Sequence, residues 1–331
     1  MQQIDEEYQR LVSDAYAVST AQNFKYQVVQ FCDFYAAHRL PVFPPDSLNI
    51  ARFITMCTTR NVTFSTLANK AAAIKRFYHY YGYSVSLDDP ALQLLLKACK
   101  REFSAAAKQK APIEPGHILL IREILDFSNP LHNLFFVALV IQFFSCIRKS
   151  NLLPASFRAY SPHKHLSRAD IALFPDQIIL SLPWTKTLQN RDDLVTIPII
   201  QVPDSILDPV MIYKQFVAAN PVPSPRMPAF SMYTGSKFVV LTQQVYINIL
   251  KEYLLKLNLP AEAFSSHSVR RGGTTWMWQS RVPDRLIKLH GGWRSSCYER
   301  YIQPPNKDKV IATRLMQQSI NSRYVNKLYI K

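Results

Sequence analysis

Glycine is scarce in this chain, with seven residues in 331, and four of the seven (Gly272, Gly273, Gly291, Gly292) sit close together. Glycine that is rare elsewhere and gathered in one place points to tight helix packing or a close approach of backbone to a ligand. Other things are missing too. The five cysteines (Cys32, Cys57, Cys99, Cys146, Cys297) stand singly, without CxxC pairs or metal-ligand spacing. That excludes a disulfide framework and a zinc ribbon, and suggests reduced thiols in an intracellular protein. There is no GxxxxGK phosphate loop and no HExxH pair, so neither a nucleoside-triphosphate cradle nor a zinc protease motif is written here. The longest apolar run, Leu134 to Ile141, is far too short to span a bilayer. The polar, acidic start does not read as a signal peptide.

Acid is also in short supply. Lys and Arg total 39 against 23 Asp and Glu, a formal charge of +16. Such a balance calls for a polyanionic partner, and nucleic acid is the commonest. The surplus is uneven. Residues 261–331 hold 13 basic and 4 acidic side chains, which places nine of the sixteen surplus charges there, whereas the first 50 residues hold 3 basic and 6 acidic ones.

The length allows two domains, each with a real core. Residues 1–108 read as helical. Phe24, Val28, Phe31 and Tyr35 recur at helical intervals, and Pro41, Pro44 and Pro45 end that element. Asp46 or Ser47 caps a second helix with Ala51, Ile54 and Cys57 inward. A third, from about Ser65, turns Leu67, Ala71, Ile74, Tyr78 and Tyr81 inward, with Lys70, Lys75 and Arg76 on its other faces. A fourth, from Pro90 to about Phe103, sets Leu92, Leu95 and Cys99 against Lys97, Lys100 and Arg101. Cations repeated on successive solvent faces suit a surface that tracks phosphates, although most such faces serve only solvation.

SAAAKQKAP (104–112) reads as the linker, and residues 109–331 as a second, mixed domain. Helices are expected from Pro115 to about Phe127 and from Pro130 to about Phe144. Short apolar runs at 170–174, 178–182 and 194–199 predict a small antiparallel sheet. After the proline-rich stretch 221–228, helices are expected near 242–257, 267–280, 283–289, 293–302 and 306–322.

Several residues here carry chemistry. Arg148, in CIRKSNLLP, follows a buried helix, where an arginine either meets an anion or snorkels from the helix end. Lys186 lies in the expected turn between two strands. His267 and Arg270 stand three apart, on one helical face, behind the cap candidates Ser265 and Ser266. Trp293 follows Gly291-Gly292, and Tyr298 and Tyr301 follow on a short helix. This set offers donors for a phosphate, a proton carrier and a phenol, without the carboxylate cluster a metal site would want. His290 reads as a helix-end packing residue.

Taken in order, Arg148, Lys186, His-x-x-Arg at 267–270, Gly-Gly-Trp and then Tyr301 resemble the tyrosine recombinase, or phage-integrase-like, family over essentially the whole chain. RKSNLLP and HSVRRGGTTW…GGWRSSCYERYI further resemble the recombinases of DIRS, Ngaro and Crypton mobile elements. The resemblance implies a mainly α fold: a helical core-binding domain, then a mixed α/β catalytic domain with a small antiparallel sheet. It implies that Arg148 and Arg270 clamp a DNA phosphate, as planar guanidinium suits. Lys186 would protonate the leaving 5′ oxygen, His267 would accept or share the nucleophile's proton, and the Trp293 indole would donate to the phosphate. Tyr301 would form a 3′-phosphotyrosyl link. A phenol titrates near about 10, so cations or a base must help to deprotonate it.

On this reading the partner is double-stranded DNA, and the protein self-assembles to a tetramer on it, with the 306–322 helix packing in part on a neighbour. No metal, cofactor, membrane or small-molecule substrate is called for. The location is intracellular: nuclear in a eukaryote, otherwise cytoplasmic or nucleoid-associated. Asn151 departs from the pattern, standing where many members carry a carboxylate, and Cys146-Ile147 replaces the usual Gly plus apolar residue. Trp293 to Tyr301 is also one position shorter than the commonest bacterial spacing. The alternatives are a catalytically silent DNA-binding protein derived from such an element, a type IB topoisomerase-like enzyme and, more remotely, a basic helical RNA-binding scaffold.

Overall fold

The computed structural model describes residues 18–59, 62–85, 89–104, 109–182, 195–293, 295–302, 314 and 316–320. The chain divides into two compact units, Met1–Gln109 and Lys110–Lys331.

Among the described residues, the first unit has four helices: α1 (Val18–Ala37), α2 (Ser47–Thr58), α3 (Phe64–Tyr80) and α4 (Pro90–Phe103). Asp46 caps α2 by accepting from the Leu48 N–H, and Asp89 caps α4 ahead of Pro90, whose missing N–H costs nothing at a first helical position. The core is aromatic. Phe31 meets Tyr35 at 4.4 Å, Phe53 at 5.3 Å and Tyr78 at 5.9 Å between ring centroids, and Ile54, Leu67, Ile74, Leu92 and Cys99 fill in around them. On α3 the structure corrects two expectations. Lys70 is buried, with its Nζ donating to Gln30 Oε1 and lying 5.8 Å over the Phe53 ring. Its four-carbon stem can lie along apolar neighbours while its head finds an acceptor. Tyr81 is exposed, because α3 ends at Tyr80; its ring instead lies 5.2 Å from both Phe43 and Phe77.

The second unit is built around α6 (Pro130–Ser145), and α5 (Pro115–Ile124) precedes it. Residues Leu134 to Phe143 of α6 are buried on every side, as a helix apolar all round must be. Asn129 caps its start, and Cys146 ends it in the left-handed region at φ 52°. After the four-residue helix α7 (Lys149–Leu152), strands β1 (Ile171–Leu173), β2 (Gln177–Leu182) and β3 (Val195–Ile200) form an antiparallel sheet in the order β1-β2-β3. Its register pairs Leu180 with Ile197 and Ile178 with Ile199, turning all four side chains into the core.

The sequence reading did not expect α8 (Pro209–Ala219) or the hairpin of β4 (Ser231–Thr234) and β5 (Lys237–Val240). Helices α9 (Gln243–Lys256), α10 (Ser266–Gln279) and α11 (Asp284–His290) follow, then a 3₁₀ helix at Ser296–Tyr301. Of the helix expected at 306–322, residues 314 and 316–320 are helical and the rest lie outside the described residues. Cys57, Cys99 and Cys146 are buried and Cys297 is exposed, and all five thiols are free. Among the described residues, no helix is long and apolar enough to cross a membrane.

Candidate active site

The site grows from the way α10 is laid on α6. Ser265 caps α10 by accepting from the His267 N–H, which fixes where the helix starts. A Cβ on Gly272 would come 1.7 Å from the Ile113 carbonyl oxygen, and one on Gly273 would come 2.1 Å from that of Phe143 and 2.6 Å from the Cys146 sulfur. No side chain fits there, so the first glycine pair is what lets α10 sit directly against the core. Gly291 has the same role locally, since its Cβ would fall 1.6 Å from the Trp293 ring.

Pressed down in this way, α10 buries Arg270 to 2 % exposure. One terminal nitrogen of Arg270 donates to the Cys146 carbonyl and the other to that of Gly291 at 2.9 Å. Both acceptors come from helix ends with carbonyls to spare. The guanidinium carbon lies 4.1 Å over the Trp293 ring and 5.3 Å over the Tyr301 ring. Burial, and then the nearby charge of Arg148, pull the Arg270 pKa down to about 10, an effect that Cys146 and the Tyr301 hydroxyl partly offset. It therefore stays a cation at neutral pH, in a setting where positive charge is costly. Its Nε and the Trp293 Nε1 are both buried without a hydrogen-bond partner. Buried donors left unpaired cost roughly 1–3 kcal/mol each, which is a reason to expect an acceptor when the site is in use.

Arg148 stands at the N-cap position of α7, with no capping bond from its side chain, and is half-buried. It lines one small cavity with Asn151, Leu182, Arg270, Gly291 and Gly292, so the two arginines separated by 122 positions in sequence share a site. Asn151 is buried at the same cavity. His267 stands at the start of α10 with its ring 6.3 Å from that of Tyr301. Partial desolvation, then the charges of Arg270, Arg148, Lys149 and Arg271, push its imidazole below the ordinary histidine value. The side chain is exposed, so the surrounding cations are the sturdier of the two causes. His267 is thus held as a neutral base.

Trp293 and Tyr301 pack ring to ring at 5.5 Å. Tyr298 is 3 % exposed and belongs to a small core with Cys146, Ile287 and Trp293, under the Lys288 ammonium at 5.5 Å. That is a packing position. His290 ties α11 to α6 through a 2.7 Å contact between its Nε2 and the Phe144 carbonyl. Lys186 lies outside the described residues. The structure therefore gathers Arg148, His267, Arg270, Trp293 and Tyr301 in one place. Sequence reasoning places Arg271 near the site without a role and misses Thr275; both hold the segment bearing Tyr301: an Arg271 terminal nitrogen donates to the Arg300 carbonyl at 2.7 Å, and the Thr275 hydroxyl to that of Tyr301 at 3.0 Å. Their spacing of four from His267 along α10 is the signal in the sequence that links them.

No protein-family model matches the chain, and no curated protein does. Solved structures do. The XerH site-specific recombinase bound to palindromic difH substrate, a post-cleavage complex, matches with a TM-score of 0.63 at 13 % identity, over 90 % of this chain and 80 % of that one. The Tn1549 transposon integrase in complex with transposon right end DNA gives 0.59 at 12 % identity, over 89 % and 93 %. A lambda integrase dimer bound to a COC′ core site gives 0.52 at 11 % identity, over 92 % and 95 %. This is the tyrosine recombinase fold. At such low identity the likeness is one of architecture, and within that architecture the α10 glycines and the 3₁₀ helix are what bring Arg270 and Tyr301 together.

Proposed function

We propose that this chain is a site-specific DNA recombinase that cleaves and rejoins DNA through a phosphotyrosyl link on Tyr301. The observation that carries the reading is Arg270, a guanidinium at 2 % exposure against the rings of both Trp293 and Tyr301, with Arg148 on the same small cavity. A chain that needed Arg270 only for packing would do as well with an apolar residue, since burying a cation is costly unless it meets an anion.

The steps follow from the placements. Arg148 and Arg270 offer N–H donors to the non-bridging oxygens of a DNA phosphate. His267, kept neutral by its cationic surroundings, takes up the phenol proton as the Tyr301 oxygen attacks phosphorus. The P–O bond to Tyr301 forms, the bond to the 5′ oxygen breaks, and that oxygen leaves with a proton, for which Lys186 is assigned by the family resemblance. The 3′-phosphotyrosyl bond conserves the energy of the broken bond, so attack by a 5′ hydroxyl of a partner strand reverses the step. The positive charge is already in place when negative charge gathers on the phosphate oxygens, and such preorganised charge is the usual largest share of catalysis.

The helical first unit, with Lys75, Arg76, Lys97, Lys100 and Arg101 exposed, acts in this reading as a core-binding domain that tracks the duplex backbone. The protein works as a tetramer on two DNA sites, within the branch of eukaryotic mobile-element recombinases suggested by RKSNLLP and HSVRRGGTTW, and in the nucleus. The test is to incubate the protein with nicked duplex, denature, and map any nucleotide remnant by peptide sequencing. A remnant on Tyr301, and no adduct from Tyr301→Phe with duplex binding kept, is the expected result. A remnant on Tyr298 overturns the residue assignment, and wild-type binding with no adduct favours a silent DNA-binding protein.

A further inference from the structure

His267, Arg271 and Thr275 follow one another at intervals of four along α10, so they form a single ridge on one face. All three meet the tyrosine segment. The His267 ring faces that of Tyr301, Arg271 donates to the Arg300 carbonyl, and Thr275 donates to the Tyr301 carbonyl. Those two carbonyls close the 3₁₀ helix, where backbone acceptors are left over and a cation is favoured. Arg271 and Thr275 are 8 % and 3 % exposed, so their bonds are sheltered from competing water. Six residues of 3₁₀ helix have little stability of their own. Something outside the helix must hold it.

From this arrangement we infer that Arg271 and Thr275 are positioning residues for the nucleophile: they fasten the peptide carbonyls on either side of the Tyr301 α-carbon, so that the phenol reaches a phosphate held by Arg148 and Arg270. This rests on Tyr301 being the nucleophile. Neither side chain need touch the substrate. With the backbone tied at two successive carbonyls, the Tyr301 ring can rotate off the Arg270 guanidinium, which it covers here, without the segment departing. The division of labour between neighbours also accounts for the Arg-Arg pair: Arg270 faces Cys146 and Gly291, and Arg271 faces the tyrosine segment.

The experiment uses the full chain with Arg271→Met, Thr275→Val and Thr275→Ser, and two readouts. Without DNA, trypsin cutting after Arg300 is followed by mass spectrometry; the Arg300 side chain is exposed, while its carbonyl, the scissile one, is tied to Arg271. With a nicked duplex, the single-turnover rate of adduct formation and the duplex affinity are measured. Arg271→Met and Thr275→Val should each speed the cut after Arg300 and slow adduct formation by about 10–100-fold, since a nucleophile misplaced by an ångström loses on the order of 10² in rate. Affinity should change less than about twofold, and Thr275→Ser, which keeps the hydroxyl, should behave like the wild type. Faster cutting with unchanged adduct rates would overturn the positioning role, and so would no change in either. Failure of the wild-type protein to form any adduct would be a failure of the nucleophile reading instead, and the trypsin result, which needs no chemistry on DNA, tells the two apart.

Discussion

Helices α3 and α10 are both free of acidic residues and rich in basic ones, yet the fold treats their adjacent cation pairs in opposite ways. On α3, Lys70 is buried but Lys75 and Arg76 face water, whereas on α10 both arginines, Arg270 and Arg271, are 2 % and 8 % exposed. An exposed cation attracts a phosphate from a distance and is screened by salt within about 10 Å. A desolvated one is fixed in place and acts only at close range, where it is strong. Under the proposed function, the difference separates holding DNA from acting on it. It is drawn by the neighbours: α10 has two adjacent glycines that let it sink onto α6, while α3 meets its neighbours through bulky rings.

The sharpest way to break the comparison is at Arg270. Arg270→Lys keeps the charge but loses the planar fork, so adduct formation should fall on the order of 10²–10³-fold, measured at saturating duplex. Lys75→Gln with Arg76→Gln should leave that saturating rate within about threefold. If both changes cost the same, burial does not mark the chemical residues. Next comes packing. Gly273→Ala pushes a methyl into the Phe143 carbonyl and the Cys146 sulfur and should cost about 1–3 kcal/mol or more of stability, read by urea denaturation.

The exposed cations have their own signature. Replacing Lys75, Arg76, Lys97, Lys100 and Arg101 together by glutamine should flatten the slope of log affinity against log salt by about 0.9 for each phosphate that is no longer neutralised. An unchanged slope would remove the first unit from the binding surface.

The smallest effect is in pH. His165 and His290 lie below the ordinary value of 6.5 chiefly through desolvation, and His267 through partial desolvation and the cations around it. The unfolded chain therefore binds protons more readily than the folded one. Their contribution to stability is complete above about 6.5 and is lost as pH falls through the lower folded values, so the melting temperature should drop between about pH 7 and 5. The adduct rate should show an acid limb with its midpoint below about 6.5, absent in His267→Gln.

Much of the architecture was legible because its signals are local. Asp89-Pro90 and Asn129-Pro130 are cap and first-turn signals that the structure uses as written, and the alternation in QIILSL and VTIPII gives the strand register. The missed elements had signals as well. Asp208-Pro209 caps α8 in the same manner, and Gly235, at φ +59°, turns the β4–β5 hairpin, although strands of four residues are too short to show a period. Lys70 was misplaced because a helical period fixes a face and not what packs on it; Gln30, forty positions earlier, decides that. The likeness to a known family ordered the site residues in the sequence, but the sequence could not show that Arg271 belongs beside Arg300, because the two meet only once the chain has turned back through α11.

The seating of α10 on α6 carries a further consequence. A helix resting on the Phe143 carbonyl and the Cys146 sulfur has no layer of side chains to loosen before the core does. Amide hydrogens in the middle of α10 should then exchange only when the whole second unit opens, at the same free energy as those of α6, rather than through a local mode. Arg270 would share the lifetime of the core itself, and the part of the site free to move would be confined to the tyrosine segment and its side chain.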